Sequence, residues 1–487
     1  MSCKTRPHVI VFPWPVQGHI TPTMHLSQKL AARGIMVTFV TTEYRLTHIR
    51  RAAAMEALPE EEQGNLRFAG LDDGLPADNP RCPVFMDFIR STEGLGGELE
   101  RLLLSISRDL SLPPVTCIIS DSFLPWTLDV ALRWGLPRVL FWTMSMATCC
   151  SFTSTSKLIA GGYDPFLKRV KRRGEKVPVM LTPDLLPMDP YDLAFNGDTD
   201  FVDEESENTK WLRGILEFQF LRVHEAAWFI TNSFQDLEAP FIDALCASSI
   251  IPRSKLLLLG PLCEAINPEF RASLWKEQEL DCLQWLDTQK DASVLYISFG
   301  SVVLRSPDAI QDVAKGLLAC RQPFLWARRS GWDESRTFLS EEFWEFAMEA
   351  GKLTTWTPQL KVLSHQAVGG FFSHAGWNST IESVSKGVPM LAWPCFLDQF
   401  TNSWEVSCHW GTGVQLMREE GQDGALEIEK AIRTLMQSER RVVFRQRAAE
   451  LRTASMGASA PHFDLLVEDM FMRAAEKGAG LEEKQVS

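Results

Sequence analysis

The chain has no apolar run near the roughly 20 residues that a membrane-spanning helix needs. It also lacks any basic excess. With 49 Lys and Arg against 62 Asp and Glu, its formal charge is −13, which argues against a nucleic-acid partner. The one basic cluster, KRVKRRGEK at 168–176, is followed by an acidic run at 198–207 and reads as a solvated loop. The 11 cysteines are scattered and contain no C-x-x-C pair, so neither a disulfide framework nor a zinc site is expected, and a reducing cytosol is the simplest home. The short apolar run near the N-terminus has no small-residue cleavage site behind it and reads as a buried strand. There is no G-x-x-x-x-G-K-[ST] loop, no G-x-G-x-x-G after a strand and no G-x-S-x-G elbow. No histidine is followed four residues on by Asp, which removes an HxxxD-type acyltransferase.

What is present fits a soluble α/β protein. At 487 residues, with 45% hydrophobic and 23% charged, the chain is too long for one core, and two domains are expected. HVIVF at 8–12 leads into the turn PWPVQGHI and then a helix, with Thr21 as expected N-cap, Pro22 in the first turn and Gly34 as stop. MVTFVTT follows as strand. From residue 293 the plan repeats as SVLYISF, GSVVLRS, DAIQDVAKGLLAC and PFLWA. Further strand-like runs are VTCIIS, RVLFW, WFITN, VGGFF and PMLAW. These β-α-β units predict two facing Rossmann-like, doubly wound domains with a cleft between them, and ligands beyond the carboxyl ends of the strands. The expected division is 1–255, a linker at 256–281, 282–455, and 456–487 as a C-terminal helix returning to the N-terminal domain, ending in a polar tail.

The segment FFSHAGWNST at 371–380 lies between a strand and a helix. Gly376 permits a turn or a close backbone approach, Ser379 to Glu382 fits a capping box, and Gly387 with Pro389 supplies a stop. Such a helix N-terminus, flanked by His374, Asn378 and Ser379, suits a diphosphate. The local pattern fits a simple well-capped helix equally well.

At the carboxyl edge of the first sheet, His19 follows HVIVF just before a helix, and Asp121 follows VTCIIS. The helix end favours the neutral imidazole a base must have, and the carboxylate could fix its tautomer. A D-x-D at Asp198 and Asp200 suggests metal-dependent glycosyl transfer, but it sits in the acidic run and reads as solvated loop. His365 reads as structural, and His25 and His409 have no evident role.

The run WTPQLKVLSHQAVGGFFSHAGWNSTIESVSKGVPMLAWPCFLDQ, Trp356 to Gln399, resembles the signature box of plant UDP-dependent glycosyltransferases of secondary metabolism. FPWPVQGHITP, IISDSF and YISFGS agree with it. Ala375 stands where many members carry Cys, and Trp14 replaces a more usual small residue or Phe. The resemblance implies a GT-B fold with the donor held mainly by the C-terminal half. Trp356 would stack on uracil, Gln359 and Glu382 would bind the ribose, and Thr357 belongs to the same donor set. His374, Asn378, Ser379 and Ser301 would contact the diphosphate; Trp377, Asp398 and Gln399 would read the sugar, with Thr143 touching it from the other domain. Gln399 resembles the glucose-preferring members. His19 would be the base and Asp121 its partner in an inverting transfer from UDP-glucose to a small lipophilic acceptor. No metal and no further cofactor is implied, and a monomer is the expected state. The alternative is a catalytically silent UDP-sugar-binding protein. Acceptor-pocket candidates are Trp14, Phe85, Phe88, Phe123 and Trp142, with Phe12 and Trp126 beside them, although core packing explains most of these aromatics equally well.

Overall fold

The computed structural model describes residues 6–51, 64–76, 86–160, 187–194, 222–263, 281–300, 305–328, 334–417 and 423–486, with single positions at 79, 81, 174, 210, 214 and 332. The chain forms two compact units. One comprises Met1–Met146, Glu205–Lys276 and Gly457–Ser487; the other comprises Ala147–Glu204 and Glu277–Met456.

The first unit holds a seven-stranded sheet: β1 His8–Phe12, β2 Met36–Thr42, β3 Leu66–Leu71, β4 Cys117–Asp121, β5 Arg138–Trp142, β6 Trp228–Thr231 and β7 Leu256–Leu258. Their order is β3-β2-β1-β4-β5-β6-β7, and every pairing is parallel. Parallel strands covered on both faces read as continuous apolar runs, and β1, β2, β4 and β5 are buried at every position. β7 falls where the sequence reading places a linker. Its run of leucines has no alternation and no β-branched residue, so it carries little strand signal of its own. The core packs Val9, Val11, Phe39, Ile119 and Phe141 with Leu466, Val467 and Met470 of the last helix, Ala460–Val486. That helix is also tied by Trp228 Nε1 donating to Asp469 Oδ2 at 3.0 Å and Lys477 Nζ donating to the Val115 carbonyl at 2.7 Å.

The second unit holds β8 Val294–Ser298, β9 Phe324–Ala327, β10 Gly351–Thr354, β11 Val368–Ser373, β12 Met390–Ala392 and β13 Gly413–Gln415. These strands too are parallel, in the order β10-β9-β8-β11-β12-β13. Residues 187–194 pack in this unit: Thr401 Oγ1 donates to the Asp192 carbonyl at 3.0 Å and Gln415 Nε2 to Asp192 Oδ1 at 2.9 Å.

In each sheet the strand order reverses once, between β1 and β4 and between β8 and β11. The crevice at such a reversal, beyond the carboxyl ends, is where this architecture binds ligands.

Two helix starts differ from expectation. The helix after β1 spans Gln17–Ala32 with Val16 as N-cap, so His19 lies in its first turn and Pro22 in its second. Thr21 does not cap because it lies in the second turn of this helix, where its hydroxyl accepts from Gln17 Nε2 at 2.7 Å. The helix after β11 spans Trp377–Lys386 with Gly376 as N-cap, and Gly387 ends it at φ 68°. Ser379 and Glu382 therefore sit inside the helix and form no capping box.

Candidate active site

At the first reversal, His19 Nδ1 lies 2.7 Å from Asp121 Oδ2. Asp121 ends β4, the neighbour of β1, so adjacent strands deliver the two groups to one edge. The other carboxylate oxygen accepts the Phe123 backbone N–H at 2.9 Å, which fixes the carboxylate plane. A carboxylate at this distance assigns the proton to Nδ1 and leaves the lone pair on Nε2, as a general base requires. The His19 side chain is 14% exposed, whereas that of Asp121 is wholly buried. Thr143, just past β5, places its Oγ1 3.0 Å from the same Nδ1.

Aromatic rings surround the imidazole. Trp14 meets it edge-on at 5.1 Å and Phe123 at 5.2 Å, while Trp14 and Phe123 stack at 5.0 Å. Phe88 supports Trp14 from 6.0 Å and is itself fully buried. Trp142 is not at this surface. It is fully buried, stacks on Phe229 at 6.3 Å and donates from Nε1 to the Ser145 carbonyl at 3.0 Å, because its place inside β5 points it into the core. Phe12 and Trp126 pack edge-on against each other at 5.9 Å, with Phe12 fully buried. Phe85 lies outside the described residues.

The second reversal is built around His374, immediately after β11. A Cβ on Gly300 would lie 2.6 Å from His374 Cε1, and one on Gly376 would lie 2.6 Å from Nε2. The ring thus packs against two glycine backbones, and Gly300 also has φ +76°, a conformation side chains rarely adopt. Burial pushes the His374 pKa down to about 3, and the Arg305 charge acts the same way. The ring is neutral at physiological pH and carries one N–H to donate. Arg305 donates to the Trp393 carbonyl and lies over the Trp393 ring at 3.9 Å. Ala375 takes φ 60°, and its carbonyl accepts from Asn402 Nδ2 at 2.9 Å. The following helix start, Trp377, Asn378 and Ser379, then presents its first N–H groups.

Around this start runs a side-chain network. Gln359 Nε2 donates to Glu382 Oε2 at 2.7 Å and to Ser379 Oγ at 3.1 Å, and Gln359 Oε1 accepts from Tyr296 OH at 3.1 Å. Thr357 Oγ1 lies 2.7 Å from the same Tyr296 hydroxyl, so this threonine braces the site. Trp356 next to it is partly exposed. Asp398 Oδ2 accepts from Asn402 Nδ2 at 2.9 Å. Gln399 Oε1 accepts the backbone N–H of Cys395 at 2.9 Å and of Phe396 at 3.3 Å. The expectation that Gln399 offers both a carbonyl and an amide is therefore corrected: its carbonyl is engaged, and the amide N–H groups are what it can turn to a ligand. Tyr296, Asn402, Arg305 and Gly300 were not singled out from sequence; Tyr296, Arg305 and Gly300 act through partners distant in the chain, and Asn402 joins Asp398 to Ala375. Ser301, Asp198 and Asp200 lie outside the described residues. His365 Nε2 is 3.1 Å from Asp287 Oδ1, a surface contact.

Each reversal thus holds a histidine in a defined setting, one beside a carboxylate and one against two glycine backbones. The profile of the UDP-glucoronosyl and UDP-glucosyl transferase family matches residues 252–446, and that of the glycosyltransferase N-terminal domain matches 7–86. UDP-glycosyltransferase 85A7 of Arabidopsis thaliana is 32% identical over 96% of this chain and 97% of its own length. The (R)-mandelonitrile beta-glucosyltransferase of Prunus dulcis is 33% identical over 95% of each. Among solved structures, a UDP-glucosyltransferase of Polygonum tinctorium, capable of glucosylating indoxyl and bound to 3,4-dichloroaniline, superposes with a TM-score of 0.76 at 26% identity, covering 96% of this chain and 99% of its own. The chain belongs to the plant UDP-glycosyltransferase family and has the GT-B fold. It is a glycosyl-transferring enzyme.

Proposed function

We propose that the enzyme moves glucose from UDP-glucose to a hydroxyl or carboxyl of a small lipophilic acceptor, inverting the anomeric centre to give a β-glucoside. The observation that carries this reading is the His19–Asp121 pair at 2.7 Å, with aromatic rings around it. His19 Nε2 takes the acceptor proton as the acceptor oxygen bonds to the anomeric carbon. The bond from that carbon to the diphosphate breaks, its electron pair leaves with UDP, and Asp121 stabilises the imidazolium. His374, Asn378 and Ser379 receive the diphosphate at the helix start, where fixed donors stabilise the leaving charge, and Ser301 is a further diphosphate contact. Trp356 stacks on uracil, Gln359 and Glu382 hold the ribose, and Thr357 fixes the loop between them. Trp377, Asp398 and Gln399 read the glucose, with Thr143 as a further sugar contact. Glucose as the donor sugar is supported by the mandelonitrile and Polygonum relatives.

The diphosphate set consists of N–H and O–H donors, so no metal is required in this scheme. Among the described residues no cluster of His, Cys, Asp or Glu is arranged to hold a metal ion, and no helix is long and apolar enough to cross a membrane. A cytosolic monomer is the working state we propose. The test is UDP release from UDP-glucose with a panel of phenols and alcohols, run with and without excess EDTA, and the anomeric proton coupling of the product. The expected result is EDTA-insensitive formation of β-glucosides. An α-product would overturn inversion, and loss of activity with EDTA that one divalent metal restores would revive Asp198 and Asp200.

A further inference from the structure

Asp121 is 1% exposed, and its Oδ2 lies 2.7 Å from the His19 ring. A buried carboxylate so placed requires a compensating charge from another direction. Arg138, the first residue of β5, is buried beside it. Its Nε donates to Ser120 Oγ at 2.7 Å and its Nη2 donates to the Asp121 carbonyl at 3.2 Å. Side chains alternate along a strand, so an arginine that reaches Ser120 lies on the face opposite the Asp121 carboxylate. Ser120 Oγ is also 2.7 Å from Thr127 Oγ1, which donates to the Leu124 carbonyl at 2.6 Å, and the Leu124 N–H returns to the Asp121 carbonyl at 3.0 Å. The guanidinium thus fastens the last two residues of β4 and the turn after them.

Burial pushes the Arg138 pKa down to about 9, with the Asp121 charge the foremost influence opposing this, so Arg138 remains cationic at neutral pH. The Arg222 charge opposes the Arg138 cation and Asp129 supports it, the two joined by Arg222 Nη1 donating to Asp129 Oδ1 at 2.8 Å.

We propose that Arg138 is a positioning residue for the base: it locks the end of β4 and so holds the Asp121 carboxylate in place against His19. The inference rests on His19 being the base. Arg138 touches neither acceptor nor donor, so its influence on the reaction passes through Asp121. A shift of even one ångström in the carboxylate is enough for a rate loss of about 10²-fold.

Arg138→Met keeps the side-chain volume and removes the charge. We compare it with Arg138→Lys, His19→Ala and wild type on two acceptors of similar shape, a benzylic alcohol and a nitrophenol already ionised at the assay pH, with UDP affinity measured by calorimetry. Arg138→Met is expected to lower kcat on the alcohol by about 10- to 100-fold, within the range of a general base's contribution. It should leave the ionised phenol within about threefold, because no proton needs to be removed there. UDP affinity and the KM for UDP-glucose should not move, and Arg138→Lys should recover part of the loss. Equal losses on both acceptors, or no loss on either, would overturn the inference. If His19→Ala retains full activity on the alcohol, the base assignment fails with it; if His19→Ala abolishes transfer and Arg138→Met does not, only the role of Arg138 fails. Should Arg138→Met not fold, Ser120→Ala, which removes the acceptor of Arg138 Nε, is read for the same split between acceptors, and its absence there counts against the proposal.

Discussion

Each of the two sheets places a histidine at its strand-order reversal, and the surroundings of the two rings differ in almost every respect. His19 has a carboxylate at 2.7 Å, partial exposure and aromatic edges about it. His374 has the Ser373 hydroxyl at 3.3 Å, two glycine backbones against its ring, and a cation in its neighbourhood. In the reaction we propose, the two rings have opposite tasks. A base must gain a proton during the reaction, so its imidazolium needs a waiting anion. A ligand for diphosphate does best with a fixed N–H that never titrates in the working range, and burial without a carboxylate achieves this. The shared topology gives each ring its place, and the neighbours decide its chemistry.

The largest effect expected from this contrast is at His19. Replacement by Ala should reduce kcat on alcohol acceptors by about 10²–10⁴-fold while leaving UDP affinity unchanged. Asp121→Asn should fall in the same direction, because its amide can favour the wrong tautomer. Steady-state rates alongside calorimetric UDP binding check both. Wild-type turnover by His19→Ala on a weakly acidic alcohol would end the distinction drawn between the two histidines.

At the other reversal the split should run the opposite way. Gly300→Ala puts a methyl 2.6 Å from the His374 ring at a φ of +76°. The ring must move or the turn must open, and we expect about a tenfold or greater loss of UDP affinity, with donor KM rising more than kcat falls. If UDP binds Gly300→Ala as it binds wild type, the glycine does not hold His374 in place for the diphosphate.

The contrast also shows what could be read without coordinates. The strands were legible because parallel strands covered on both faces are unbroken apolar runs, as in HVIVF and RVLFW. His19 and Asp121 were legible because each follows such a run, and the sheet order brings the runs together. Gly387 was legible as a stop, since a left-handed residue is what ends a helix. Glu382 was misread. The spacing Ser379 to Glu382 fits a capping box, but the helix begins three residues earlier, with Gly376 as N-cap, and Gln359 claims the carboxylate. For Trp142 both a pocket and the core were open from sequence, because aromatic composition does not say which way a strand residue points; it is fully buried and stacks on Phe229. Arg138 and Arg305 gave no signal at all. Their meaning lies in contacts to Asp121 and Trp393, 17 and 88 residues away in the chain.

A smaller effect concerns the donor sugar. With Gln399 Oε1 held by two backbone N–H groups, the residue turns only donors outward, while the ionised Asp398 beside it can only accept. That pairing suits vicinal equatorial hydroxyls, and an axial 4-hydroxyl would leave a buried N–H unpaired, a cost of about 1–3 kcal/mol. We therefore expect UDP-glucose to be preferred over UDP-galactose by about 10- to 100-fold in kcat/KM, and Gln399→His to narrow that ratio. An unchanged ratio in the variant would mean that Gln399 does not read the 4-position.

The smallest effect separates two buried titratable groups within the second unit. His374 has its pKa lowered from 6.5 to about 3, so the unfolded chain binds the extra proton first and stability falls as pH drops through that window. Glu405 behaves in the reverse sense. It is fully buried, its carboxyl accepts no hydrogen bond among the described residues, and burial raises its pKa well above 4.5. His409 is the titratable neighbour, with Nδ1 3.7 Å from Oε1. Here the folded chain holds the proton more tightly, so stability is lost as pH rises above the ordinary carboxyl value. Glu405→Gln keeps the shape and removes the titration. It should flatten the decline in Tm as pH rises above the ordinary carboxyl value, leaving unchanged the acid limb, to which His374, His8 and His25 all contribute. Thermal melts of both proteins across that range decide it: if the two curves run parallel, Glu405 is not the group whose burial costs stability at neutral pH.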